Sequence, residues 1–190
     1  MSLPLFLLVI VAPIGAIDML YFHLWKYRLY ASACSRSETV THILRSLTVA
    51  TLAWVLAHYR PTGTWFWIVG SLFLIDFVNS LVDVAIESRS RAAMGGVPGA
   101  ESVIHTVGST ALGAIAALYF ALGWNDRLLP TALTSPAGEL SPFLVLQGEL
   151  VAVSGALLTL LELALLLCSL AGRCLPRRNS LAEYPPPLRS

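Results

Sequence analysis

Residues 65–87 read WFWIVGSLFLIDFVNSLVDVAIE, which is long and apolar enough for a membrane-spanning helix. Such a helix needs about 20 mostly apolar residues to cross the hydrocarbon core of a bilayer. Within this stretch four polar residues follow one another in steps of three or four, namely Asp76, Asn79, Asp83 and Glu87. Because such steps place side chains on one face of a helix, the sequence predicts a spanning helix with one acidic face.

Four other stretches have a similar length and apolar character, and the five predicted spans are 3–25, 39–59, 65–87, 101–123 and 143–171. The composition agrees, since 56% of the residues are hydrophobic and only 12% are charged, with a mean hydropathy of +0.73. A soluble domain carries about 25% charged residues. We therefore expect an all-α, multi-pass integral membrane bundle of five transmembrane helices over residues 1–172, followed by a disordered cytoplasmic tail over residues 173–190.

The distribution of Lys and Arg in the links predicts the orientation of the bundle. One side has nine such residues and the other has two, Arg60 and Arg127. The nine are Lys26, Arg28, Arg36, Arg89, Arg91, Arg173, Arg177, Arg178 and Arg189. Since cytoplasmic links carry the excess of positive residues, we expect the N-terminus outside and the C-terminus in the cytoplasm.

Most acidic residues occur where a lipid environment disfavours them. Eight of the eleven lie within or at the ends of the predicted spans, although a charge inside a span is costly and usually has a function. With the predicted orientation, nine ionisable residues of the first four spans share the cytoplasmic leaflet. They are Asp18, His23, Glu38, His42, Asp76, Asp83, Glu87, Glu101 and His105. The sequence therefore predicts one polar site that faces the cytoplasmic side.

Spacing within the helices supports a common site. Glu38 and His42 are four residues apart, as are Glu101 and His105, so each pair presents a carboxylate and an imidazole on one helix face. Asp18 and His23 are five residues apart, or roughly 140° around an ideal α-helix. These two share a face only if a π-bulge or a distortion at the helix end intervenes.

The grouping of carboxylates and imidazoles predicts a metal site. Carboxylates crowded in a poor dielectric repel one another unless they are protonated or a cation lies among them. Mixed nitrogen and oxygen donors suit iron, manganese or zinc, and we expect two or more metal ions, with iron favoured. The predicted ligands are Asp18, His23, Glu38, His42, Asp83, Glu87, Glu101 and His105. Asp76 and Arg45 are predicted to orient or balance them as catalytic residues, and Asn79 and Glu162 are second-tier candidates.

Several of these residues also have structural explanations. Glu38 follows Ser35 by three residues, as in a capping box, and Glu101 falls in a first helical turn, where the helix dipole favours a carboxylate. Asp83 could form an ion pair with Arg45, Arg89 or Arg91. The last two arginines lie in the glycine-rich link 88–100, which is either an ordinary positive turn or a segment that closes over a polar substrate.

Asp76 has no comparable structural explanation, because helical rise places it about 16 Å from the end of its span. Together these patterns favour a membrane metalloenzyme that acts on an apolar or amphiphilic small molecule, with oxidation favoured over hydrolysis. A metal-ion or proton-coupled transporter could use the same residues, and a haem protein could use His42 and His105 as axial ligands. A net charge of +1 argues against a nucleic-acid partner.

Overall fold

A computed structural model describes residues 2–136 and 138–172, and the predicted tail 173–190 lies outside this part of the chain. The described chain is mostly helical. The long helices are α1 (Ser2–Ile17), α2 (Arg36–His58), α3 (Thr64–Ser90), α4 (Gly99–Gly123) and α5 (Pro142–Leu170). A π-helical segment, Asp18–Lys26, continues α1, and short 3-10 turns lie in the links.

The expectation of five long apolar helices is confirmed within the described residues. The helical segments that could cross a membrane are Ser2–Lys26, Ala33–His58, Thr64–Ser90, Gly99–Leu128 and Pro142–Leu170. Three helix ends extend two or three residues beyond the predicted spans: α2 and α4 begin earlier, and α3 ends later. Polar residues such as Glu38 lower the local hydropathy there, yet they fit terminal helical turns, whose backbone groups are partly unpaired.

A small sheet joins the links at one end of the bundle. Strand β1 (Arg60–Thr62) pairs antiparallel with β2 (Ala132–Thr134). The Arg60 guanidinium lies 2.9 Å from Asp126 and 2.8 Å from Glu139. The hydrogen bonds and negative charge of these two carboxylates raise the pKa of Arg60. Hydropathy alone indicated only polar links here, because strands of three residues leave no periodic pattern.

The half of the bundle next to this sheet has an apolar core. Phe66 of α3 stacks on Tyr119 of α4 with ring centroids 5.0 Å apart, and the Tyr119 hydroxyl donates to the Phe66 carbonyl at 2.8 Å. Helices α2 and α5 approach closely where α5 carries glycine. A Cβ at Gly148 would lie 3.0 Å from Cβ of Ala57, and one at Gly155 would lie 3.0 Å from Cβ of Ala50. Small residues thus permit the tight packing that membrane helices often use.

Large apolar side chains point away from the bundle. Leu74 and Val84 of α3, Val103 of α4 and Leu157 of α5 are each more than 60% exposed. The polar side chains described below are instead buried between the helices. This inside-out distribution is the one expected of helices in contact with lipid tails.

Cysteine labelling in intact cells tests the predicted orientation. Cys34 is exposed just before α2, and we expect a membrane-impermeant maleimide to modify it only after the cytoplasmic side becomes accessible. Cys34→Ser should abolish that modification. In the Cys34→Ser background, Ser135→Cys, an exposed position in the opposite link, should react from outside. Labelling of Cys34 in sealed cells would contradict the predicted orientation and indicate the opposite one.

Candidate metal centre

Side chains from four helical segments meet at the end of the bundle away from the sheet. Each segment supplies two of them, one helical turn apart. The pairs are Asp18 and His23 from the π-helical segment, Glu38 and His42 from α2, Asp83 and Glu87 from α3, and Glu101 and His105 from α4. Six of the eight are buried, and Glu87 and His105 are partly exposed. The structure thus places all eight predicted ligands in one cluster, which we call the His/carboxylate cluster.

The π-helical segment explains how Asp18 and His23 both reach the cluster. Its wider turn closes hydrogen bonds between residues five apart, as in the 2.9 Å bond from the Tyr27 amide to the Phe22 carbonyl. Residues spaced by five therefore share a face here, whereas an α-helix would separate them. Asp18 is 5% exposed and His23 is 2% exposed. The local π-helical distortion that Asp18 and His23 need in order to share a face is therefore present.

Four ligand atoms at the junction of this segment and α4 have the spacing of donors to one metal ion. Nε2 of His105 lies 2.9 Å from Oδ2 of Asp18, and Nε2 of His23 lies 3.0 Å from Oε1 of Glu101. The distance between Nε2 of His23 and Oδ2 of Asp18 is 3.9 Å. Donors bound at about 2.0–2.1 Å around a tetrahedral ion lie roughly 3.3 Å apart. This two-histidine, two-carboxylate group could therefore hold a metal after small movements.

Two further groups overlap with the first. His23, Glu38 and His42 bring ligand atoms within 4.8 Å of one another, as do Glu38, Glu87 and Glu101. The His23 and His42 ring centroids are 3.9 Å apart. Because His23, Glu38 and Glu101 each belong to two groups, the cluster offers adjacent metal positions that share ligands.

Arg91 lies in the link directly after α3, at the edge of the His/carboxylate cluster, and its side chain is fully buried. Its Nη2 lies 2.6 Å from Oε1 of Glu38 and 2.5 Å from Oε1 of Glu101, and the Tyr27 ring covers the guanidinium at 4.9 Å. Burial opposes the charge of Arg91, but hydrogen bonding and attraction from Glu38 and Glu101 raise its pKa. The sequence suggested Arg91 as a link cation and as one of three possible ion-pair partners of Asp83, whereas its partners in the structure are Glu38 and Glu101. Its position directly after the acidic face of α3 was the available signal.

Glu38 does not form the capping box that its spacing allowed. The Ser35 hydroxyl instead donates to the Ser90 carbonyl at 3.1 Å, and the Glu38 carboxylate accepts hydrogen bonds from the Ser90 hydroxyl and from Arg91. Glu38 therefore points into the cluster, because the α3 terminus supplies stronger donors than the backbone of its own first turn.

Asp83 lies beside His42, with Oδ1 of the carboxylate 3.6 Å from Nε2 of the imidazole. It also accepts a 2.5 Å hydrogen bond from the Thr41 hydroxyl. Asn79 donates to the Thr41 carbonyl at 2.8 Å. Asn79 thus connects α3 to the α2 backbone next to His42. Thr41 had no distinguishing pattern in the sequence.

The two predicted catalytic residues pair with each other, and Asp76 lies about two helical turns deeper in α3 than Asp83. Nε of Arg45 lies 3.5 Å from Oδ1 of Asp76, which is 4% exposed, and Arg45 also donates to the Ser80 hydroxyl. Asp76 therefore has a cationic partner that the sequence did not assign to it. The pair borders the cluster without joining any of its three ligand groups.

The charges of this region do not cancel among the described side chains. Six carboxylates face two guanidinium groups, which leaves four negative charges when the histidines are neutral. Oδ1 of Asp18, Nε2 of His42, Oε1 of Glu87 and Oε2 of Glu101 are buried without a hydrogen-bond partner in the described part of the chain. Buried polar atoms almost always have partners. Two divalent cations would neutralise the excess charge and engage these atoms.

The fourth histidine lies far from the cluster, whereas the second-tier candidate Glu162 lies at its border. His58 is at the sheet end, where Nε2 lies 3.2 Å from Glu149. Glu162 of α5, the second-tier candidate, is 1% exposed and borders the cluster on the side of His23.

Comparison with protein-family models, curated proteins and solved structures finds no match to this chain. The chemistry of the cluster is therefore the basis for a functional conclusion.

Replacing Arg91 tests its part in holding the cluster together. Arg91→Gln leaves Glu38 and Glu101 buried without their cation, and breaking a buried ion pair costs about 3–5 kcal/mol. We expect a clearly lower melting temperature for the metal-free variant in detergent, measured by tryptophan fluorescence. Arg89→Gln, at an exposed neighbouring position, should melt like the unmodified protein. Equal melting of the two variants would contradict the role of Arg91.

Proposed function

We propose that this protein is an integral membrane metalloenzyme with a dinuclear His/carboxylate site near the cytoplasmic side. The observation that carries the proposal is the set of three overlapping ligand groups, to which three helical segments contribute a pair of residues each and α3 contributes Glu87. Asp83 lies beside His42 but belongs to none of the three groups. A structural polar layer without a metal would require that several of these carboxylates be protonated or that more cations lie among them. Placement in a membrane is supported by five long apolar helices and by apolar side chains that point outward.

Iron is the favoured metal, with manganese or zinc as alternatives, because the donors are imidazole nitrogens and carboxylate oxygens. Soluble dinuclear carboxylate proteins also draw glutamate and histidine from four facing helices. The likeness extends only to the choice of ligands, since their Glu-x-x-His spacing differs from the four-residue spacing of Glu38 and His42.

The substrate is an apolar or amphiphilic small molecule that approaches from the bilayer. The most accessible members of the cluster are His105 and Glu87, whose side chains are 11% and 15% exposed. Nδ1 of His105 lies 3.3 Å from Oε1 of Glu87. This contact lies between α3 and α4, so a lipid chain would reach the metals from that side.

With iron, the favoured reaction is an oxidation such as hydroxylation. One oxygen atom of dioxygen enters a C–H bond, and the other leaves as water after an external donor supplies two electrons and two protons. With zinc, the site would activate water for hydrolysis. Arg45 and Asp76 form an ion pair beside the metal positions, so Arg45 offsets the charge of Asp76 and the pair adds no net charge there.

A transporter is disfavoured by the packing of the other half of the bundle. Leu52, Leu56, Phe66, Ile115 and Tyr119 are buried there and form an apolar core. Ions crossing a membrane need polar stations along the path. The described polar groups beyond Asp76 toward the sheet, such as the His58–Glu149 pair, are separated from the cluster by this core.

Metal analysis of the purified protein tests the proposal. We expect about two iron, manganese or zinc ions per chain, bound by the His/carboxylate cluster. His42→Ala and His105→Ala should each lose most of the metal, because each removes a nitrogen donor. His58→Ala is the matched control and should retain it.

A stable unmodified protein that binds no metal under iron, manganese or zinc saturation would refute the proposal. A sharp Soret band that disappears in His42→Ala would assign the histidines to haem instead.

Turnover in proteoliposomes separates the enzyme from the carrier. Iron-loaded protein supplied with a reductant should consume dioxygen and yield an oxidised lipid, and His105→Ala should do neither. Uptake of metal into the vesicles without any change in the lipid would favour transport and contradict catalysis.

A further inference from the structure

Glu162 is the one ionisable residue of α5 within reach of the cluster among the described residues, and its surroundings differ from those of the other carboxylates. It is 1% exposed, and its Oε2 is buried with no hydrogen-bond partner in the described chain. The side chains near it in sequence are leucines and alanine, Leu160, Leu161, Leu163 and Ala164. A carboxyl group in such a place needs a partner from another helix or from a bound water.

A small cavity connects Glu162 with the His/carboxylate cluster. It has a volume of about 10 Å³ and is lined by His23, Leu24, Leu29, Tyr30, Thr39 and Glu162. That volume suits roughly one water molecule. Buried waters usually have two to four polar partners, and four of the lining residues, His23, Tyr30, Thr39 and Glu162, carry polar side chains.

The hydrogen bonding of His23 agrees with such a water. Its Nε2 faces Glu101 at 3.0 Å, within the proposed metal-binding group. Its Nδ1 is buried and has no hydrogen-bond partner in the described residues. Two unpartnered polar atoms, Nδ1 of His23 and Oε2 of Glu162, thus belong to residues that line one cavity of the size of a water.

We propose that one buried water bridges Nδ1 of His23 and the Glu162 carboxylate, so that Glu162 is a positioning residue for a metal ligand. Metal-bound histidines commonly donate their other ring N–H to a carboxylate or water, which fixes the ring and its tautomer. In the metal-bound protein, Nδ1–H of His23 donates to the water, and the water donates to Glu162. Nε2 is then left free to bind the metal.

This inference deepens the proposed function and rests on it for its metal-dependent part. It assigns α5 a role at a site whose proposed ligands all come from the other helical segments. It also explains why a carboxyl group occurs in the leucine-rich part of α5, where its insertion is costly.

Cobalt binding to Glu162 variants tests the positioning role. Loss of such an outer partner typically weakens metal binding about 10–100-fold, and we expect that loss in Glu162→Leu. Glu162→Gln, which can still accept from the water, should lose less. At saturating Co²⁺ the visible d–d bands of Glu162→Leu should be shifted, which a general loss of stability would not cause. Glu149→Leu removes the other α5 carboxylate and should match the unmodified protein.

Wild-type affinity and an unchanged cobalt spectrum in Glu162→Leu would overturn the positioning role. The water itself is tested separately, in metal-free protein, by a structure at a resolution that shows ordered waters. Density in the cavity within hydrogen-bond distance of His23 and Glu162 is expected, and an empty cavity would refute the inference. If the unmodified protein binds no metal, the proposed function fails, and the water density still decides this contact.

Discussion

Six carboxylates lie close together at one end of an apolar helix bundle, where ionised carboxylates repel one another strongly. Arg91 bridges Glu38 and Glu101, and Arg45 pairs with Asp76. These two cations neutralise only part of the negative charge of the carboxylates. Three imidazoles lie among the remaining carboxylates, and His23 shares one ligand group with His105 and another with His42. The pair of divalent cations that we propose would account for both the excess charge and the nitrogen donors.

The geometry of the cluster follows from helix periodicity. A spacing of four residues places two donors one turn apart on α2, α3 and α4, and the π-helical segment achieves the same for residues spaced by five. The apolar core near the sheet holds the other ends of the helices in register, through stacked Phe66 and Tyr119 and through the glycine contacts of α5. The closely packed apolar half of the bundle thus supports the half that holds the His/carboxylate cluster. Metal-binding side chains need such packed support to keep their positions.

Much of this arrangement could be predicted from the sequence, because hydropathy and periodicity are local properties. The five apolar helices follow from hydropathy. The acidic face of α3 follows from the spacing of Asp76, Asn79, Asp83 and Glu87. The burial of Arg91 could not be predicted, since it depends on the link folding back against α2 and α4. The pairing of Asp76 with Arg45 likewise depends on how α2 and α3 align. The five-residue spacing of Asp18 and His23 indicated a π-helical distortion only on the condition that both residues join the site, and it did not give the length of the π-helical segment.

X-ray absorption at the metal edge of iron-loaded protein shows whether the His/carboxylate cluster binds two metal ions. We expect a first shell of nitrogen and oxygen donors with imidazole scattering, and a metal–metal vector of about 3.5–4 Å, as in two-metal sites. His42→Ala should remove that vector. A shell of oxygen donors alone, unchanged in His42→Ala and His105→Ala, would show that metal binds outside the His/carboxylate cluster and would contradict the account.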